Sequence, residues 1–144
     1  MSEEDYDLPA QIYQAVNSFS PFVAVNRPWY PVPIDSNYDP AKTLSATLHT
    51  IEMATGSSPI HLALYRHGEF IAQGSPQAGG FISLRHDDCT DDTVAVRIRI
   101  PGASFPETRS THKIDYIYRD GQLCWSGDWP YDEGPPAPGL PKAD

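Results

Sequence analysis

Period-two alternation, repeated in short runs with turn residues between them, most narrows what this chain can fold into. Leu44, Ala46 and Leu48 alternate with Ser45, Thr47 and His49, and Ile60, Leu62 and Leu64 alternate with His61, Ala63 and Tyr65. Val94, Val96, Ile98 and Ile100 alternate with Thr93, Ala95, Arg97 and Arg99, and Ile114, Tyr116 and Tyr118 repeat the pattern. Successive side chains on a strand point to opposite faces, so each run predicts a strand with one apolar face. The segments between them agree. Thr55-Gly56-Ser57-Ser58-Pro59, His67-Gly68 and Asp120-Gly121 are turn chemistry, and Asp-Gly between alternating runs is a strong hairpin signal. Short strands are also predicted at Glu69–Ala72, at Phe81–Leu84 after Gly79-Gly80, and at Gln122–Trp125.

The two ends read differently. Asp7 as a cap, Pro9 in the first turn, and Leu8, Ile12, Ala15, Val16 and Phe19 at helical spacing predict a helix over about 8–18. Pro21, Pro28, Pro31, Pro33 and Pro40 make 20–42 an extended arm, with a short strand around Phe22–Val25. Pro135, Pro136, Pro138 and Pro141 leave 132–144 as a mobile tail. A chain of 144 residues fits one domain, here 1–131. A half-apolar sheet must be covered, and the helix is the only candidate cover. The expected fold is therefore α+β, an N-terminal helix packed on one twisted antiparallel sheet of about six or seven strands over 43–127. Leu44–Met53 should pair with Ile60–Arg66, and Val94–Ile100 should lie inside the sheet.

A formal charge of −9 repels phosphate and anionic lipid, and the ten Lys and Arg residues form no stripe, so nucleic acid is excluded as a partner. No run approaches the roughly 20 apolar residues of a membrane-spanning helix. Met1-Ser2-Glu3-Glu4-Asp5 has none of the basic start of a secretory leader. Either the chain is cytosolic or a leader has been removed, and composition does not choose between them.

The run Ala54-Thr55-Gly56-Ser57-Ser58-Pro59-Ile60-His61, followed by Leu62-Ala63-Leu64-Tyr65-Arg66-His67-Gly68-Glu69-Phe70 and Gly74-Ser75-Pro76, resembles the LppP/LprE family of actinobacterial envelope lipoproteins. Asn37–Pro40 with Leu44-Ser45, Phe81 after the glycines, and Asp91–Val96 resemble further family signposts in the same order. The resemblance covers about residues 8–127. It implies a secreted precursor whose mature domain is tethered by a lipid on an N-terminal cysteine, hence an extracytoplasmic setting in the cell envelope. Typical members carry a cysteine just after the Asn-Pro signpost, where Ala41 stands here, so no disulfide connectivity carries over. In such an oxidising compartment Cys89 and Cys124 are expected to pair into one disulfide. The family implies no established catalytic residues.

Other constellations have plain readings. His86–Asp92 offers carboxylates to a hard cation but lacks the glycine and terminal glutamate of a helix-loop-helix calcium site, so no metal is expected. His49, His61, His67, His86 and His112 come with many serines but with no Gly-x-Ser-x-Gly elbow, so no catalytic residue is assigned. Gly79-Gly80 precede no helix that would cradle phosphate, and no cofactor is expected. Trp29, Tyr30, Trp125 and Trp129 sit in Pro-rich surroundings, where rings can stack on a sugar or a peptide or can cover the open end of a sheet. Covers are the expectation. The expected function is a non-enzymatic interaction domain of the envelope, its partner an envelope protein or a glycan. The alternatives are a small glycan- or peptide-binding module on those aromatics, and an unrecognised hydrolase, which would need a histidine beside a serine, cysteine or carboxylate.

Overall fold

The computed structural model describes residues 8–19, 29–51, 60–74, 81–101, 108–130 and 140–143. Among these residues one α-helix, α1 (Ala10–Ser18), precedes eight strands: β1 (Asp35–Ser36), β2 (Ser45–Thr50), β3 (Ile60–Arg66), β4 (Glu69–Gln73), β5 (Ile82–Leu84), β6 (Thr93–Pro101), β7 (Thr108–Arg119) and β8 (Gln122–Gly127). They form two antiparallel sheets of four strands, ordered β1-β2-β3-β4 and β5-β6-β7-β8. The strand expected around Phe22–Val25 lies outside the described residues.

The expectation of a helix on one sheet of six or seven strands is thus corrected. There are two sheets, and the fold is mostly β. Alternation reports which face of a strand is apolar, and it is silent on whether the next hairpin extends the ladder or lies across it. Here the second hairpin group lies across. Leu44, Ala46, Leu48, Leu62 and Leu64 from the first sheet share one buried cluster with Leu84, Val94, Val96, Ile98, Ile114, Tyr116 and Trp125 from the second. Within the second sheet Val94 faces Tyr116 and Tyr116 faces Trp125, so one row of the core crosses three strands.

The helix covers the other face of the first sheet. Ile12, Ala15, Val16 and Phe19 pack with Trp29, Ile51, Ala63 and Tyr65 in a second cluster. Every residue of β2 is buried as a result, the polar ones included. The expected pairing of β2 with β3 is present, with Ser45 opposite Tyr65 and Thr50 opposite Ile60. β6 lies inside its sheet between β5 and β7. Asp120 (φ 53°) and Gly121 (φ 76°) give the β7–β8 hairpin the left-handed two-residue turn that its Asp-Gly sequence predicts.

Carboxylates tie the two sheets together. Asp91, before β6, accepts hydrogen bonds from the Thr43 amide (3.2 Å) and hydroxyl (2.8 Å), while its carbonyl takes the Leu44 amide (2.9 Å). Asp35 in β1 accepts from the Leu84 amide (3.3 Å) and lies 2.7 Å from His86 Nε2. Of the tail expected to be mobile, residues 140–143 run beside β8, where Trp125 and Lys142 form a parallel bridge. The Trp125 amide donates to the Pro141 carbonyl at 3.1 Å.

The assignment of faces has a direct check. Val96 and Ile98 are each 1% exposed, so Val96→Ala and Ile98→Ala should each lower unfolding free energy by about 1–4 kcal/mol in urea titrations. Losses below about 0.5 kcal/mol for both would reverse the faces.

Candidate functional site

Two polar constellations stand apart from the apolar packing. The first is buried between α1 and the first sheet. His49 Nδ1 lies 3.0 Å from the Tyr30 carbonyl, which can only accept, so Nδ1 carries the proton and Nε2 is the acceptor. Thr47 Oγ1 lies 2.8 Å from that Nε2 and 2.8 Å from the Tyr65 hydroxyl. The donors then run in one direction, from the Tyr65 hydroxyl to Thr47, from Thr47 to His49, and from His49 to the Tyr30 carbonyl. A protonated His49 would turn its acceptor into a donor facing the Thr47 proton. Burial accordingly pushes His49 down to about 4, against the raising effect of the Tyr30 carbonyl.

His61 lies across the ladder from His49. Its ring stacks on Phe19 at 4.3 Å between centroids, with Trp29 edge-on at 5.5 Å. Burial, and then the neighbouring His49, push it down to about 4, while a hydrogen bond with the Gln73 side chain opposes them. Its Nδ1 is buried without a hydrogen-bond partner. These two histidines, 0% and 2% exposed, fill the α1 side of the first sheet as neutral packing groups.

The second constellation lies at one end of the gap between the sheets. Ser110 and His112 are two apart on β7, so both point to the same face. Ile82 pairs with Ile98 and Ile98 with His112, which makes that face the inner one. Ser110 lies one row further out, opposite Ile100. Ser110 Oγ is 2.8 Å from His112 Nε2, and His112 Nδ1 is 2.6 Å from Asp128 Oδ2. Asp128 arrives from just beyond β8, where Gly127 pairs with Ile114 and the Asp128 amide donates to the Lys113 carbonyl at 3.2 Å. A small apolar cavity lined by Ile60, Leu62, Ile82, Ile98, Tyr116 and Trp129 borders the same row.

This serine-histidine-aspartate chain escaped the sequence reading. Ser110-x-His112 on a predicted strand was a visible signal, since that spacing puts both side chains on one face. The carboxylate was hidden, because its place depends on the hairpin register and on the turn at Gly127.

The residues singled out from sequence are dispersed. Trp29 is buried under α1, whereas Trp125 is buried in the core between the sheets, so the two rings share no surface. Tyr30 is half-buried beside β2, its amide donating to the Thr50 carbonyl at 2.8 Å. Trp129 is half-buried and packs on the inter-sheet core. Lys142 lies over the Trp125 ring at 5.1 Å from its centroid.

Cys89 and Cys124 are free thiols, which corrects the expected disulfide. Cys89 accepts the Ala95 amide at 3.3 Å on β6, and Cys124 donates to the Ile117 carbonyl at 3.6 Å across from β8. β7 runs between them. Two strand spacings are about 9–10 Å, beyond the Cα separation of about 7 Å that a disulfide tolerates. Three carboxylates of the acidic loop are occupied by the protein itself, Asp88 by Arg85, Asp91 by Thr43, and Asp92 by Thr90, Thr93 and Arg119. Among the described residues no three His, Cys, Asp or Glu side chains gather as a metal site would require.

The family signposts map onto structural joints. Asn37 Oδ1 accepts the Ala46 amide at 2.8 Å and the Asn37 amide donates to the Ala46 carbonyl at 3.1 Å, extending the β1–β2 pairing by one step. The Tyr38 hydroxyl donates to the Gly68 carbonyl at 2.8 Å. A Cβ on Gly68 would come within 3.0 Å of the Pro40 side chain, so the His67-Gly68 turn is fitted against this segment.

Comparison with known proteins assigns the class. The family model for the LppP/LprE lipoproteins matches residues 36–119, from β1 to the end of β7. The chain belongs to the LppP/LprE lipoprotein family. It is 31% identical over 93 residues to lipoproteins named LprE from Mycobacterium tuberculosis and Mycobacterium bovis, covering 57% of this chain and 46% of theirs. Identity to the LprE of Mycobacterium leprae is 33% over 70 residues, 49% of this chain and 35% of that one. The chain thus spans about half the length, or less, of these curated relatives. No solved structure matches. Membership implies an envelope-associated setting, and among the described residues no helix is long and apolar enough to cross a membrane.

Proposed function

We propose that this chain is the extracytoplasmic interaction domain of a lipid-anchored LppP/LprE lipoprotein, engaging an envelope protein through its surface. One observation carries the reading. Both apolar layers are built from the chain's own side chains, and two of the three tryptophans that a sugar platform would need are spent inside them, Trp29 and Trp125 being 8% exposed. A surface partner uses what remains, an acidic exterior on a framework fixed by two cores and by carboxylate ties between the sheets. With a formal charge of −9, the partner's contacting surface is expected to be basic, and the association to weaken with salt.

The test has two arms. Soluble wall-glycan fragments, titrated to millimolar concentration, should leave the intrinsic tryptophan emission unchanged. A photo-crosslinker placed at the exposed Ile71 or Ile34 of the envelope-borne lipoprotein should give a discrete protein adduct that salt suppresses. A saturable emission change at sub-millimolar glycan would replace this reading with the glycan-binding module.

A second reading, the hydrolase, has the Ser110–His112–Asp128 chain in its favour.

A further inference from the structure

We infer that Ser110, His112 and Asp128 form a nucleophilic site for carboxylic esters at one end of the gap between the two sheets. It rests on the hydrolase reading, to which it gives a substrate class, and does not depend on the interaction reading.

The hydrogen-bond directions are fixed by the groups present. A carboxylate only accepts, so His112 Nδ1 carries the proton that bridges 2.6 Å to Asp128 Oδ2. Nε2 of the neutral ring is then the acceptor for the Ser110 hydroxyl at 2.8 Å. This is the order that activates a serine: a base on the nucleophile, and a carboxylate that fixes the tautomer and orientation of the base. The three groups come from two places in the sequence, joined by the β7–β8 register.

Exposure fits the role. The His112 side chain is 17% exposed and Ser110 is half-buried, so the base is screened while the site stays at the surface. Asp128 is 77% exposed and is held by the hydrogen bond that its backbone amide donates to the Lys113 carbonyl. The neighbouring inner-face row, Ile82 and Ile98, borders the apolar cavity with Trp129 at its edge.

The reaction balances with water alone. Ser110 Oγ attacks the ester carbonyl as its proton passes to His112 Nε2. The carbon–oxygen bond to the alcohol breaks, and the alcohol leaves with that proton. Water then gives a proton to Nε2 and attacks the Ser110 ester, and the acid departs as the proton returns to Oγ. Asp128 stabilises the ring while it is charged.

A fluorophosphonate probe, with tryptic mapping of the adduct, tests the site. The folded chain should take one label, on Ser110, and release p-nitrophenol from p-nitrophenyl butyrate with a burst of the acyl-enzyme. Ser110→Ala should take none. His112→Gln should slow labelling by about 100-fold or more, and Asp128→Asn by about 10-fold or more. Asp128 is exposed, so that variant keeps the comparison if His112→Gln does not fold. No label on folded protein, or a Ser110 labelling rate that Asp128→Asn leaves unchanged while the near-ultraviolet circular dichroism is native, would overturn the assignment and leave the three residues as a tie between β7 and β8.

Discussion

Lowering the pH from 7 to 4 should remove several kcal/mol from the folding stability of this domain, through two buried histidines. His49 and His61 are 0% and 2% exposed, and each is pushed from 6.5 down to about 4. A base whose folded value lies below its unfolded value is held neutral by the fold. Its contribution is complete above about pH 6.5 and is lost as the pH falls toward 4, where the unfolded chain binds protons that the folded one refuses. A displacement of that size corresponds to about 3 kcal/mol for each histidine. Two such losses are comparable to the whole stability of a typical domain, about 5–15 kcal/mol.

The structure says where the loss acts. His61 is stacked on Phe19 at the end of α1, and His49 Nδ1 donates a hydrogen bond to the Tyr30 carbonyl. Hydrating either ring requires α1 and the Trp29 segment to lift from the first sheet. Amide exchange in α1 should therefore accelerate before that in β6 and β7. Asp92 is held below the ordinary carboxylate value, chiefly by Thr93, so its loss falls at lower pH and does not obscure the window. Protonating the other acids relieves the net negative repulsion, which acts in the opposite direction. Urea midpoints at pH 7, 6, 5 and 4 should fall steadily, and His61→Phe, which preserves the stack, should flatten the profile by about half. A level profile from pH 7 to 4 would show that the two rings are solvated.

Gly127→Ala is the second change expected to cost heavily, and it acts on the backbone. Gly127 ends β8 at φ 119°, where side chains are strained, and a Cβ there would collide with the Lys113 carbonyl oxygen and approach Ile114 Cα to 3.0 Å. Both neighbours are backbone of β7, one of them flanking the buried Ile114. Neither can move without opening the ladder. Strain of this kind costs about 1–3 kcal/mol, and the displaced strand end adds to it, so a loss of at least about 2 kcal/mol is expected. Asp128 follows directly, so the variant should also pull the carboxylate away from His112 and move the imidazole resonances of that ring. A Gly127→Ala protein with wild-type stability and an unmoved His112 spectrum would mean that the strand leaves β7 earlier.

The strands were legible from residues 44–50, 60–66, 93–100 and 114–118 because alternation is a local property and the turns between them are chemically distinct. The sheet count was not. Leu48 and Ile114 look the same in sequence whether they share one face of one sheet or meet across two. The tool for telling them apart, which hairpin lies over which, is long-range geometry. The same blindness hid the polar layer on β2. Ser45, Thr47 and His49 alternate with the apolar face of their strand, yet α1 covers them, and burial of polar groups is permitted there because Thr47, His49 and Tyr65 satisfy one another. Ser110 and His112 were readable as neighbours on a strand face, while Asp128 needed the register of β7 with β8.

The disulfide failed for a related reason. Position in sequence put Cys89 before one strand and Cys124 on another, and nothing local revealed that β7 separates them. The helix runs from Ala10 to Ser18, with Pro9 at its N-cap position where the sequence put it in the first turn, while the Asp7 cap lies outside the described residues.

The central claim is that two separate four-stranded sheets meet face to face, with the serine-histidine pair at one end of the gap. Methyl–methyl nuclear Overhauser spectroscopy on selectively labelled protein measures it most directly. The account predicts cross-peaks from Leu44, Leu48, Leu62 and Leu64 to Val94, Val96, Ile98 and Ile114, the two halves of one buried cluster. Cross-peaks confined within each set, together with backbone contacts that pair β4 with β5 in one continuous ladder, would contradict it.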